Sequence, residues 1–136
     1  MARFETNGLA ELILRTGEMS KIPDEVFLDM LESSAEILEA AQKKKGQVYG
    51  VHLTGDTLKS ITHGKMKKQR NGRSIDVYPQ GLDRDGNRNG EVAFVNEYGV
   101  KGKQNPRPFI RDANEEATPR MVDAQEEKFD DWLKNF

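Results

Sequence analysis

The spacing of apolar residues along the chain predicts a long helix in its first third. Between residues 26 and 41 apolar side chains recur at intervals of three and four, and the charged residues fall outside this stripe. Pro23 suits the first turn of such a helix, and three lysines at residues 43–45 suit its C-terminal end. Gly46 follows them and is predicted to end the helix.

Helical spacing also occurs near both ends of the chain. Asn7 precedes a short apolar stripe over residues 9–16, so the helical N-terminal region is predicted to span residues 7–45. A second long stripe predicts a C-terminal helix over about residues 108–135. Pro119 interrupts this stripe, so either the helix kinks there or Thr118 caps a new helix.

The middle of the chain has the pattern of β-strands. Apolar and polar residues alternate over residues 74–78, residues 91–98 are rich in β-formers, and residues 61–66 are a weaker strand candidate. These segments predict a β-meander over about residues 61–98, with residues 79–90 as a mobile hairpin loop. Four aromatic residues are predicted to lie mainly in the core: Phe94, Tyr98, Phe109 and Trp132.

The predicted elements combine into an α+β fold. A small antiparallel sheet would be packed by the early long helix and by the long C-terminal helix. The chain has 136 residues, of which 35% are hydrophobic and 32% are charged, so it has the size of a single domain over residues 1–136. Its longest apolar run is residues 92–95, which argues against a membrane protein. The chain has no cysteine, which excludes a disulfide framework and a thiol nucleophile.

Charge is distributed unevenly along the chain. Residues 1–41 carry 3 basic and 9 acidic groups, residues 42–73 carry 9 and 1, and residues 112–136 carry 3 and 8. A basic middle segment between acidic ends can bind a polyanion, or it can pair with the acidic helices of another copy. The predicted interface therefore contains the basic residues Lys59, Lys65, Lys67, Lys68, Arg70 and Arg73, together with the loop residues Asp83, Arg84, Asp85 and Arg88.

Candidate chemical sites are weak in this sequence. Oxygen-bearing side chains at residues 83, 85, 87 and 89 have the alternate spacing of a calcium loop. However, Arg88 stands where such a loop needs glycine, and Phe94 stands where it needs a bidentate carboxylate. His52 and His63 lack partners at a metal-binding spacing, and no phosphate-binding loop or serine elbow occurs. We therefore expect no catalytic, cofactor-binding or metal-binding residue, and a surface position for both histidines.

The basic segment 59–73 makes nucleic acid an alternative ligand, because several lysines and arginines could contact phosphates. Aromatic residues that would stack on bases are not interleaved with it. The nearest ones, Tyr49 and Tyr78, lie outside the segment. A protein-facing basic surface is the preferred interpretation.

Three segments carry a more specific signal: TGDTLKSI at residues 54–61, AFVNEYG at residues 93–99 and PRPFIRDA at residues 106–113. Together and in this order they resemble the phage tail-component family of the HK-ninety-seven gene-product-ten type, over roughly residues 7–125. The matching positions are Thr54, Gly55, Leu58, Ser60, Ile61, Phe94, Val95, Glu97, Gly99, Pro108, Phe109, Ile110 and Ala113. This sequence departs from the family pattern by one extra residue before Leu58, and by Asn96 and Tyr98 within the second segment.

The resemblance implies a fold similar to that of tail terminators and a role in tail completion or head-to-tail joining. It implies a homo-oligomeric ring, expected to be a hexamer, at the head-proximal end of the tail tube. The expected partners are the tail tube protein, the head–tail connector proteins and, where the basic surface faces the lumen, passing DNA. The expected location is the virion tail or neck, with the host cytoplasm during assembly. The alternatives are a small cytoplasmic nucleic-acid-binding protein that uses residues 59–73 and, less favoured, a hydrolase.

Overall fold

The computed structural model describes residues 2–5, 22–51, 54–70 and 72–134. Long helices and a small antiparallel sheet confirm the predicted α+β class. The elements are, in chain order, β1 (Ala2–Glu5), α1 (Asp24–Val48), α2 (Asp56–Lys59), β2 (Ile61–His63), β3 (Lys67–Gln69), β4 (Gly72–Pro79), α3 (Asn89–Tyr98) and α4 (Phe109–Lys134). The first predicted helix, over residues 9–16, lies outside the described residues.

Strand β4 is the centre of the sheet, and all of its neighbours run antiparallel to it. One edge of β4 pairs with β1, from Ala2 opposite Val77 to Glu5 opposite Ser74. Its other edge pairs with β2 near Pro79 and with β3 near Gly72. Two short strands thus follow each other along one edge, so the described part of the sheet is three strands wide. The predicted strand at residues 74–78 is confirmed, and the weaker candidate at 61–66 is a strand over its first three residues.

Helices α1 and α4 pack side by side in antiparallel orientation. The end of α1 lies beside the start of α4, where the Gln42 amide donates a 3.0 Å hydrogen bond to Asn114 Oδ1. Further along, the Gln125 amide donates a 3.1 Å bond to Ser34 Oγ. Apolar residues from both helices form the core with the sheet, and they include Leu31, Leu38, Ile61, Ile75, Val77, Phe109, Ala117 and Met121. The half-buried Trp132 packs in a smaller cluster with Ile22, Phe27 and Phe129.

The prediction of a strand at residues 91–98 is wrong, because this segment is the helix α3. Its buried side chains are Asn89, Ala93 and Glu97, which are spaced by four residues and therefore lie on one helical face. The β-meander consequently ends at Pro79, and the loop after it joins a strand to a helix. The large apolar residues that suggested a strand lie on the exposed side of α3.

The predicted helix end at Gly46 is wrong, and of the two alternatives at Pro119 the new helix does not occur. Gly46 lies inside α1, which continues to Val48, and it is buried against the Leu58 side chain. Pro119 lies inside α4, which runs without interruption from Phe109 to Lys134. Thr118 caps no new helix, and its hydroxyl instead donates a 2.6 Å hydrogen bond to the Asn114 carbonyl within the same helix.

Candidate functional site

The first segment of the family resemblance forms a tight turn followed by α2. Gly55 has a φ of 80°, which lies in the left-handed region that favours glycine. Thr57 and Leu58 follow it and are buried. The Thr57 hydroxyl donates a 3.2 Å hydrogen bond to Asn89 Oδ1, which attaches the turn to the start of α3. The Asn89 amide in turn donates a 2.9 Å bond to the Gln80 carbonyl.

The second and third segments are joined through the carboxylate of Glu97. Its two oxygens accept hydrogen bonds of 2.9 and 3.1 Å from the backbone N–H groups of Ile110 and Arg111. These groups lie in the first turn of α4 and have no partner inside the helix, so Glu97 caps α4 and its negative charge suits the helix dipole. The Arg107 N–H also donates a 2.7 Å bond to the Asn96 carbonyl. Helix α3 therefore links the three segments, because its first residue binds the turn of the first segment and its last turn caps α4.

Gly99 allows the chain to turn between α3 and α4. Its φ is 74°, and a side chain there would place its Cβ 2.6 Å from the carbonyl oxygen of Gln104. Only glycine fits this position, because the close neighbour is backbone and cannot move aside. The turn also brings Glu97 within reach of the first turn of α4.

Two of the four predicted core aromatics lie on the surface. Phe94 is 63% exposed and Tyr98 is 65% exposed, and their ring centroids lie 4.7 Å apart. They occur one turn apart on α3, beside its buried face, and line the same cavity as Ala93. Phe109 is fully buried, as predicted.

The exposed rings border a groove between α3, the end of β4 and the start of α4. We call this surface the aromatic groove and define it by Tyr78, Pro79, Gly90, Phe94, Tyr98 and Ile110. Its cavity has a volume of about 560 Å³. A neighbouring cavity of about 540 Å³ shares Tyr78, Pro79 and Gly90 and extends to Leu82, which is 65% exposed. An exposed apolar surface of this kind is typical of a site that contacts another molecule.

The predicted basic interface is partly neutralised within the chain. Lys67 Nζ lies 2.6 Å from an oxygen of Asp76. Lys68 and Arg73 both contact the carboxylate of Asp24 at the start of α1, and Lys68 lowers the pKa of that carboxyl below its usual value. The remaining basic side chains are those of Lys59, Lys65 and Arg70. All three are exposed, and none forms an ion pair among the described residues.

Residues 79–90, predicted to form a mobile hairpin loop, connect β4 to α3 and therefore form no hairpin, and they make several hydrogen bonds. Arg84 donates to both oxygens of Asp56, at 2.9 and 2.8 Å, and to the Thr54 carbonyl at 3.0 Å. These bonds hold the pKa of Asp56 well below its usual range. Asp83 Oδ1 accepts the backbone N–H groups of Asp85 and Asn87, at 2.9 and 2.8 Å. Arg88 Nη1 lies 3.8 Å from a Glu91 oxygen.

In the loop with the spacing of a calcium site, the Asp83 carboxylate binds the loop itself through its backbone contacts. Within residues 22–51, 54–70 and 72–134, no group of three acidic or histidine side chains is arranged to hold a metal ion. His63 lies half-buried, with Nδ1 2.6 Å from a Glu39 oxygen. His52 lies outside the described residues.

A third cavity, of about 590 Å³ and lined mainly by polar residues, lies between the turn at Gly55, the loop at Asp83 and the segment leading to Arg107. Its polar residues bind neighbouring protein groups: Asp83 binds its own loop, and Arg107 Nη1 lies 3.4 Å from the Gly50 carbonyl.

Sequence reasoning missed the aromatic groove, because it assigned the Phe94 and Tyr98 side chains to the interior. The buried Asn89–Ala93–Glu97 spacing is the signal that could have placed these rings outside.

No protein-family model, curated protein or solved structure matches this chain. None of the helices in the described ranges is both long enough and apolar enough to cross a lipid bilayer.

Proposed function

We propose that this chain is a structural protein of a phage or prophage virion, which completes the tail or joins it to the head. It would act as a ring, with six copies as the expected number, at the head-proximal end of the tail tube. Its partners would be the tube protein and the connector proteins of the neck. The proposal gives the chain no catalytic step and no cofactor.

The observation that carries the proposal is the junction of the three segments that resemble the tail-component family. They are far apart in the sequence, yet Glu97 of the second segment caps the helix that begins at Phe109 in the third. The first segment is attached less directly, through a bond from Thr57 to Asn89 at the start of the helix that carries the second segment. The three segments therefore belong to one structural unit around α3. Because one fold hosts many functions, deletion of the gene is the deciding test of the assignment to phage tails.

The surface of the chain also supports an assembly role. A ring needs two different surfaces on each copy, so that each copy contacts the next in the same way. The chain offers an exposed apolar surface at the aromatic groove and acidic helices elsewhere. From the predicted charged interface we retain Lys59, Lys65 and Arg70, because Lys67, Lys68 and Arg73 pair with acids of the same copy.

Deletion of the gene from the phage or prophage that carries it tests the function directly. We expect filled heads and separate tail tubes in electron micrographs of the lysate, and joined particles when the gene is restored from a plasmid. Purified protein should form annular particles when added to isolated tail tubes. Normal virions without the gene would contradict the proposal.

A charge-reversed chain tests the retained basic residues. Lys59→Glu, Lys65→Glu and Arg70→Glu together should reduce the yield of joined particles and leave the far-UV circular dichroism spectrum unchanged. Lys44→Glu is the control, because Lys44 is an exposed lysine of α1 outside this surface. Salt-sensitive binding of the wild-type protein to duplex DNA, lost in the triple variant, would instead favour the nucleic-acid alternative.

A further inference from the structure

We propose that the aromatic groove of one copy binds the outer face of helix α4 of a second copy. This inference rests on the proposed function, since it names the two surfaces through which a ring of identical copies would close. It is also testable without any phage component.

The groove side of the contact has the features of a binding surface. Phe94 and Tyr98 expose most of their rings to solvent, and the floor between them and Tyr78 consists of the small residues Gly90 and Ala93. Aromatic rings that border a concave surface bury a large apolar area at a small cost in side-chain entropy. Because Gly90 and Ala93 are small, the groove has room for a row of protruding side chains.

The outer face of α4 provides such a row. The buried side chains of α4 are Phe109, Ala113, Ala117, Met121 and Gln125, which face α1 and the sheet. On the opposite side of the helix lie the exposed residues Glu115, Pro119, Val122, Glu126 and Leu133, which we call the outer ridge. Val122 is 39% exposed and Leu133 is 44% exposed, so the ridge presents apolar groups between carboxylates.

The charges of the two surfaces are complementary. Residues 88–111, which contain α3 and the turn after it, carry five basic and two acidic residues. One of the two acids, Glu97, is buried and engaged with the start of α4. Residues 112–136 carry eight acidic and three basic residues. Arg88 and Arg111 line the two cavities, and their side chains are 76% and 64% exposed although Arg88 lies 3.8 Å from Glu91 and Arg111 lies 3.1 Å from Asp112 of the same copy. Both exposed guanidinium groups can also meet the carboxylates that flank the outer ridge.

The two surfaces differ, so the contact is head-to-tail. When the groove of one copy is filled, its own outer ridge is still free for the next copy. The contact therefore propagates from copy to copy, and it gives the proposed ring when the rotation between neighbours closes. A symmetric dimer, in which two grooves face each other, would leave no free groove and would stop at two copies.

Cysteine cross-linking tests the pairing, because the natural chain contains no cysteine. Tyr98→Cys and Val122→Cys are prepared on chains of different length and mixed with a short bismaleimide. We expect a cross-linked species that contains both chains, and little product from either variant alone. Val48→Cys replaces Val122→Cys as the matched control, since Val48 is 69% exposed but lies on neither surface. Cross-linking of Tyr98→Cys to itself would overturn the proposal.

Sedimentation measurements test the energetic contribution of both surfaces. We expect Phe94→Ser with Tyr98→Ser, and separately Glu126→Lys, to raise the dissociation constant of self-association at least about tenfold. Val48→Ser and Glu36→Lys should leave it unchanged, because both residues are exposed on α1. A wild-type protein that stays monomeric at all concentrations would refute the contact.

The two proposals fail in different ways. If virions need the gene but the Tyr98→Cys and Val122→Cys chains are not linked, the docking proposal is wrong and the tail function stands. If heads and tails join without the gene, the function is wrong whatever the cross-linking shows.

Discussion

Gly46 shows how a single missing side chain controls local packing. It lies inside α1, and a Cβ atom there would be 2.3 Å from Cδ2 of the buried Leu58. The glycine therefore allows α2 to approach α1 closely. From the local sequence alone, a glycine after three lysines predicts the end of a helix. The contact that explains this glycine is made with Leu58, which lies twelve positions further along the chain.

We predict that Gly46→Ala lowers the free energy of unfolding by about 1 kcal/mol. Overpacking a core costs about 1–3 kcal/mol, which exceeds the gain of about 1 kcal/mol in helix propensity. Gly90→Ala is the matched control, because its nearest neighbour would be the Pro79 carbonyl oxygen at 3.8 Å. That variant should be more stable by a few tenths of a kcal/mol, up to about 1 kcal/mol. Urea denaturation measures both, and a stabilised Gly46→Ala would show that Leu58 can move aside.

Helix α3 explains why the sequence predicted some elements and missed others. The long helices α1 and α4 have apolar stripes that continue over several turns, and β4 alternates over five residues, so local periodicity was sufficient. In α3 the pattern is inverted, because two polar residues and an alanine face inward while Phe94 and Tyr98 face outward. Strand β1 was missed because four residues carry little local pattern and its partner lies seventy positions away.

The candidate site was predictable only in part. The three resembling segments were identified from their residues, but their junction depends on the hydrogen bonds of Asn89 and Glu97, which no local pattern reveals. Lys67 and Arg84 belong to the predicted interface, but each forms an ion pair with a carboxylate from another part of the chain. Only the folded structure shows these pairs. Ion pairs between distant parts of a chain follow from the fold and not from the order of charges.

Glu97 carries a prediction at the level of the element, because it couples α3 to α4. Glu97→Ala leaves two backbone N–H groups of the first turn without their acceptor, and we expect a loss of about 1–2 kcal/mol in the free energy of unfolding. Glu97→Gln keeps one acceptor oxygen but loses the charge, so about half of that loss is expected.

Glu91→Ala is the control for this measurement. Glu91 belongs to the same helix, is exposed and lies 3.8 Å from Arg88, so its removal should change stability by less than about 0.5 kcal/mol. Equal effects of the two alanine substitutions in urea denaturation would refute the capping role.

Over the whole molecule, several carboxylates link distant elements and have a lowered pKa. The pKa of Asp56 is lowered by Arg84, and the pKa of Asp24 is lowered by Lys68. The Tyr49 hydroxyl lowers the pKa of Asp112, and Lys45 lowers the pKa of Glu116. Each carboxylate prefers its charged form more strongly in the folded than in the unfolded chain. Their contribution to stability is therefore complete above the unfolded values of 3.8 and 4.5, and it is lost as the pH falls through the folded values.

We predict that the urea midpoint is level at mildly acidic pH and falls progressively below about pH 4 to 5. Asp56→Asn should lower the urea midpoint at neutral pH and make its decrease at acid pH shallower, because the ion pair between Arg84 and Asp56 no longer contributes to stability. Asp85→Asn is the control from the same loop, since its carboxylate accepts no hydrogen bond from the described residues. An acid profile of Asp56→Asn that runs parallel to the wild-type profile would contradict this role.

The position of Trp132 has a practical consequence for observing unfolding. It is the only tryptophan of the chain, and it packs with Phe27 and Phe129 at the far end of the helix pair, apart from the main cluster under the sheet. The fluorescence of Trp132 therefore reports fraying of that end of the helix pair. The tyrosine signals report the opposite end. A fluorescence transition that precedes the circular dichroism transition would reveal a folded intermediate with its helix tips already open.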